Sequence, residues 1–310
     1  MKMPLLRMQL PLLLLGAIAA SAATEEKLNQ KFSVPPGGTV VVEVEFGQVN
    51  VSTNATSEVV VEAWRKIGRS NKADEEGFLR DHPVTIALDG NTVTIFSRGK
   101  NRWFGSSGRH SSNEAKYTIT VPSRFNARLK TGGGPVEVAG LTGEMHADTG
   151  GGNIKAGACD GTITLRTGGG SIEVSNSAGT LDASTGGGSV SVAEFQGPAH
   201  VRTGGGGLTL ERVQGALDGS TGGGSISTVL PSELSGEVKL STGGGGVSVS
   251  APSTVAFDLD AKTGGGSVTT DLPVAVIGKV EHGRLQGPVN GGGKTVQLRS
   301  GGGSIHLKKL

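Results

Sequence analysis

The four-residue phrase Thr-Gly-Gly-Gly opens at Thr131, Thr149, Thr167, Thr185, Thr203 and Thr221 at a constant step of 18 residues, and again at Thr242 and Thr263 at a step of 21. Degraded copies stand at Asn290 and Ser300, where the Thr is replaced and three glycines remain. A fixed period of this length marks a solenoid, in which each repeat is one rung that cannot bury its own apolar face alone. A flexible glycine linker is excluded, because linkers keep no strict period and carry no regular Val, Ile and Leu.

Within each unit the apolar positions come in two pairs. Val136 and Val138, Ile154 and Ala156, Ile172 and Val174, Val190 and Val192, and Leu208 and Leu210 follow the Thr by five and seven residues. Met145 and Ala147, Ile163 and Leu165, Leu181 and Ala183, and Ala199 and Val201 follow it by fourteen and sixteen. One residue, usually polar, separates the members of each pair, the alternation of a strand with one wet and one dry face. The expected fold is therefore all-β: a parallel β-helix, or β-solenoid, with two short strands per 18-residue rung. Glycine inside a strand costs roughly 0.5–1 kcal/mol relative to Ala, so three per rung imply a backbone that needs positive φ or close approach without a Cβ. Gly143, Gly161, Gly179, Gly197 and Gly215 keep the same step and mark the second turn of the rung.

Residues 1–22 read as a secretory signal: Lys2 and Arg7, an apolar stretch from Leu10 to Ala20, and the small-residue site Ala20-Ser21-Ala22. The stretch is short for a membrane span, which needs roughly 20 residues, so no transmembrane segment is expected in the mature chain. The whole chain has 29 Lys and Arg against 27 Asp and Glu, and the signal removes two basic residues, leaving 27 against 27. That balance argues against nucleic acid as a partner, which calls for a basic excess. The single cysteine, Cys159, excludes an internal disulfide and reads as a small inward side chain near a turn.

Residues 23–122 are β-rich and less regular. Strands are expected over Thr39–Val44, Val49–Ser52, Val59–Trp64, Val84–Leu88, Thr92–Phe96 and Lys116–Val121, with a tight turn at Asp89-Gly90-Asn91 and a short helix over Ala73–Arg80. The loop at 97–112 sets Arg102 and Arg109 around Trp103 and Phe104. Those four residues are a candidate contact for a sugar, an anionic polymer or a membrane surface, weighed against a solvated loop whose Trp103 caps the solenoid. Residues 123–310 are the glycine-rich repeats. Pro231, Pro252 and Pro273 place the later insertions on one edge, and Ile305-His306-Leu307 closes the chain as a truncated rung.

Three stretches carry a family likeness: Gly37-Gly38-Thr39 to Val51 with Phe46-Gly47-Gln48-Val49-Asn50-Val51, then Tyr117-Thr118-Ile119-Thr120-Val121-Pro122, then Leu129-Lys130-Thr131-Gly132-Gly133-Gly134-Pro135-Val136-Glu137-Val138. Together they resemble the bacterial putative-adhesin family of β-strand-repeat proteins, also described as a domain of unknown function. The resemblance covers essentially all of the mature chain. It implies a single-stranded parallel β-helix in the cell envelope, and the signal sequence adds the expectation of export, to the periplasm or as a secreted or cell-surface protein.

One column invites a catalytic reading. Asp182, His200 and Asp218 stand fifteen residues after successive Thr, on the outward side, with Arg166 and Arg202 two positions on. Stacked strands would set the carboxylates about 9–10 Å apart with the imidazole between, near the separation used by inverting glycosidases. The competing reading is a charge ladder, because Glu137, Lys155 and Glu173 alternate sign in the same way. No phosphate loop, calcium nonapeptide or zinc motif is matched, so no cofactor or metal is expected. The reading that results is a non-enzymatic envelope protein meeting a polysaccharide, a protein or another envelope component. A polysaccharide-cleaving enzyme on the Asp182 column is the alternative, and ice or surface binding by the stacked Thr a weaker one.

Overall fold

The computed structural model describes residues 23–99, 112–276 and 283–310. The N-terminal third holds β1 (Thr24–Ser33), β2 (Thr39–Val44), β3 (Gln48–Asn54), β4 (Glu58–Gly68), α1 (Lys72–Asp81), β5 (Thr85–Asp89), β6 (Thr92–Ser97) and β7 (Ser112–Pro122). The repeats supply β8 (Asn126–Thr131), β9 (Val136–Ala139), β10 (Thr142–Thr149), β11 (Ile154–Gly157), β12 (Asp160–Thr167), β13 (Ile172–Thr185), β14 (Val190–Gln196) and β15 (Ala199–Thr203). They continue as β16 (Leu208–Gln214), β17 (Leu217–Thr221), β18 (Ile226–Val229), β19 (Val238–Thr242) and β20 (Val247–Ala251). The chain closes with β21 (Phe257–Thr263), β22 (Val268–Thr270), β23 (Arg284–Val289), β24 (Lys294–Ser300) and β25 (Ile305–Lys309).

The fold is all-β and solenoid-like. Through the repeats each strand pairs in parallel with the strand one period on, so that Ile163 meets Leu181 and Ile154 meets Ile172. Inward positions of every unit, among them Ile163, Leu165, Ile172 and Val174, join one continuous buried core. Four such side chains per unit contribute about 1.5–3 kcal/mol each, and they are buried only because neighbouring units cover the core above and below.

The glycines have distinct duties. A Cβ on Gly152, the third of its run, would lie 2.0 Å from Gly134 O, and one on Gly150, the first, 2.1 Å from Gly132 O. A Cβ on the middle glycine, Gly151, would meet nothing within 4 Å. Close approach of the next backbone explains the first and third. The second-turn glycines combine both demands: Gly161 has φ +127° and its Cβ would lie 2.3 Å from Gly143 O.

Purely parallel stacking in sequence order does not extend to the ends. β2 and β3 pair directly with β8 and β9, while β6 and β7, which come between them in sequence, lie on their outer sides. At the other end β24 pairs with both β19 and β21, and β25 with both β20 and β22. Thr242 therefore neighbours Ser300, not Thr263, and the expected truncated last rung is instead clasped between earlier ones. Antiparallel pairs finish both ends: β1 on β4, β4 on β7 and β5 on β6 at one, β23 on β21 at the other. The physical reason is the edge problem, since a solenoid that simply stopped would present a long row of unpaired backbone groups.

The N-terminal cap is fastened by buried charge. Arg65 is fully buried and donates from Nε to Glu26 Oε2 at 2.8 Å and from Nη1 to His82 O at 2.6 Å. Glu75 of α1 accepts from Thr24 N at 3.0 Å, Thr24 Oγ1 at 2.7 Å and Arg69 N at 3.1 Å. Those hydrogen bonds, Thr24 Oγ1 first, hold the Glu75 carboxyl below its ordinary value.

Candidate functional site

The outward column singled out in the sequence is assembled by two adjacent strand pairings, Asp182 with His200 and His200 with Asp218. His200 Nδ1 lies 3.2 Å from Asp218 Oδ2, and Arg166 Nη2 lies 3.9 Å from Asp182 Oδ2. Arg202 stands in the next column, in register between Ser184 and Ser220. All five residues thus share one exposed sheet face, with the two carboxylates half exposed at 48% and 51%. Lys239 continues the column beyond Asp218 and pairs with Glu237 at 2.7 Å, which lowers the Glu237 carboxyl from its ordinary value. A shallow depression of about 270 Å³ beside His200 is floored by Leu181, Ala199 and Leu217. Chemically the column is a run of lateral ion pairs on an open surface. Such exposed pairs are each worth about 0–1 kcal/mol.

The Thr column does not face solvent. Thr149, Thr167 and Thr185 are buried. Thr167 Oγ1 donates to Gly152 O at 2.8 Å and accepts from Gly170 N at 3.1 Å, and the same clasp repeats at Thr185 and Thr203. Ice or surface binding by this column is thereby overturned, because both hydrogen-bonding roles of each hydroxyl are spent on backbone. Cys159 is buried as expected, and burial pushes its thiol up. Arg102, Trp103, Phe104 and Arg109 lie outside the described residues.

Two features escaped the sequence reading. The first is a row on the N-terminal antiparallel sheet, where Trp64 stands between Lys27 of β1 and Lys116 of β7. A depression of about 420 Å³ opens over it. The strand alternation that places Val59 and Val61 inward also puts Trp64 outward, so the position was readable; its partners, on strands distant in sequence, were not. The second is a corner at which Asn176, Glu194 and Arg212 follow one another at φ of 48°, 54° and 51°. Non-glycine residues are uncommon there, and Glu194 and Arg212 form an ion pair across the units.

The fold and these surfaces define a class: a repeat β-protein whose outward side chains are laid out in strand register. The chain matches the Toastrack DUF4097 family over residues 40–308 and belongs to it. Among curated proteins nothing matches. Solved structures that are similar include a putative adhesin from Bacteroides fragilis NCTC 9343, 12% identical, covering 92% of this chain and 97% of that one with a TM-score of 0.36. A putative cell adhesion protein from Clostridium sporogenes ATCC 15579 is 13% identical, with 92% and 100% covered and a TM-score of 0.24. A putative lipid binding protein from Parabacteroides distasonis ATCC 8503 is 9% identical, with 90% and 96% covered and a TM-score of 0.36. At these scores their names carry no argument for this chain.

Proposed function

We propose that this chain is an exported, non-enzymatic protein of the bacterial cell envelope, adhesin-like or structural. In this reading it is a parallel β-helix with two short strands per rung that presents a rigid surface to a polysaccharide, a protein or another envelope component. The supporting observation is the column Asp182, His200 and Asp218 with Arg166: its carboxylates are engaged sideways, along the rod, on an open sheet. A rigid array of this kind recognises by complementarity, since each outward side chain is held at a strand spacing of about 4.8 Å from the next. Arg102, Trp103, Phe104 and Arg109 are a further contact that we propose on sequence grounds. The competing reading, cleavage of polysaccharide by Asp182, His200 and Asp218, draws support from their shared register, but among the described residues they border only a shallow depression and not the cleft that such chemistry uses to exclude water.

Cell fractionation with a tagged chain, followed by capture of partners from envelope extracts, tests the proposal. The expected result is an envelope or extracellular location, capture that survives Asp182→Asn and Asp218→Asn, and no release of reducing ends from uronic or neutral polysaccharides. Sugar release that both substitutions abolish would establish the enzyme instead.

A further inference from the structure

The row through Trp64 has the chemistry of a built binding recess, and we propose that it holds a short stretch of acidic polysaccharide, a sugar ring over Trp64 with its carboxylate groups toward Lys27 and Lys116. This rests on the reading of the chain as an envelope interaction protein and names the ligand class. Lys27 and Lys116 are the direct cross-strand partners of Trp64 on either side, which sets their backbones roughly 10 Å apart with the indole between. The flanking rows are Asn29, Glu62 and Thr118, an amide, a carboxylate and a hydroxyl, and Glu25, Lys66 and Glu114, a third ammonium between two carboxylates. The depression over Trp64, about 420 Å³, falls within the roughly 300–1,000 Å³ of small-molecule sites.

Several observations select this ligand. The indole N–H donates to Glu25 Oε2 at 3.4 Å and the Asn29 amide to Glu62 Oε1 at 3.4 Å. The polar edge of the indole is therefore engaged, and its apolar face is what remains for a pyranose C–H face. Lys116 forms no ion pair among the described residues, while Lys27 lies 3.9 Å from Glu25 with 76% of its side chain exposed. Both ammonium groups can turn to an anion. A bilayer is the poorer occupant, because Trp64 is half-buried in the sheet and does not project as an inserting anchor would. Nucleic acid is disfavoured by the even count of acidic and basic residues outside the leader.

The test titrates the full mature chain by calorimetry, and its Trp103→Phe form by fluorescence so that the signal reports Trp64, with a galacturonate hexamer, a neutral galactose hexamer and phosphatidylglycerol vesicles. The expected result is saturable quenching by the acidic hexamer, at least tenfold weaker with the neutral one. Calorimetry should show at least tenfold loss in Trp64→Ala and partial retention in Trp64→Phe. Lys27→Gln with Lys116→Gln should weaken binding and flatten its salt dependence, all at an unchanged melting temperature. No binding of the acidic hexamer, equal binding by Trp64→Ala, or binding of vesicles alone overturns the proposal. If envelope capture then persists in Trp64→Ala, only the recess falls; if capture never occurs in the parent chain, the broader reading falls with it.

Discussion

The middle of the molecule and its two ends solve the same problem by different means. From Thr149 to Thr221 a unit's neighbours are its sequence neighbours, and the backbone pairing repeats. At the N-terminal end the chain lays β6 and β7 outside β2 and β3 before crossing to their inner side with β8 and β9, and at the C-terminal end it builds β21 and β22 as an outer layer and returns with β24 and β25 beneath them. Local period alone suffices where there is always another unit to cover the core. Where the core would otherwise be open, long-range return and antiparallel strands take over. A repeat array that ended in sequence order would fray from its last unit, whereas here the last unit is held on both sides.

The comparison breaks most decisively by deletion. Removing residues 294–310 takes away β24 and β25 with buried Val296, Leu298, Ile305 and Leu307, and separates β19 and β20 from β21 and β22. The loss should exceed about 5 kcal/mol, given about 1.5–3 kcal/mol for each buried side chain, and β21 should lose protection in hydrogen exchange. A shortened chain that melts within a few degrees of the parent would refute the clasped end.

The next largest effect lies in the middle. Gly152→Ala drives a methyl into Gly134 O, a corner carbonyl held in place by a hydrogen bond from Thr149 Oγ1, and a loss of about 3 kcal/mol or more, or failure to fold, is expected. Gly151→Ala, one residue away, should shift stability by no more than about 0.5 kcal/mol. Equal effects in denaturant titrations would show that the glycine run is not set by close approach.

Thr167→Val comes third. It keeps shape but strands Gly152 O and Gly170 N, at a cost of about 1–3 kcal/mol. Val44 occupies the equivalent register beside Thr131 in the N-terminal rung without a hydroxyl, so the corner clasp belongs to the repeats. If Thr167→Val were as stable as the parent, the corner clasp would be decorative.

The smallest effect is acid sensitivity, greater at the ends than in the middle, where the lowered Glu237 carboxyl is half exposed. Hydrogen bonds chiefly from Thr24 hold Glu75 below its ordinary value, and one chiefly from Arg299 does the same for Asp260, which ties β21 to β24. A depressed carboxyl contributes stability that is complete above its unfolded value and is lost as pH falls through its folded one. Hydrogen exchange in β1 and β21 should therefore quicken below the ordinary carboxylate range before that in β12 and β15. Glu75→Gln should remove the pH dependence at β1. Opening that begins in the middle would contradict this.

Much of this was readable beforehand. The period, the inward pairs, the strands from Thr39 onward and the helix around Ala73–Arg80 follow from alternation and spacing, which are properties of residues close in the chain. Asp182, His200 and Asp218 were placed in one column by counting, and strand register does bring them together. The burial of the Thr was missed because a Thr beside glycines looks like a turn residue, yet Thr149 ends β10 two residues after Ala147 and the same alternation turns it inward. Trp64 was seen as part of a strand, but Lys27 and Lys116 reach it only through antiparallel pairing.

By itself the amino-acid sequence determined that this chain must coil into stacked β-units, because its glycines and apolar pairs recur at a step that makes each unit the template for the next. It also determined which side of each strand is dry. The tertiary structure alone decided the order of layers at the two ends, the direction of the Thr hydroxyls and the assembly of the Trp64 row. Those outcomes depend on contacts between segments far apart in the chain, and local periodicity carries no information about where a returning strand will find an open edge.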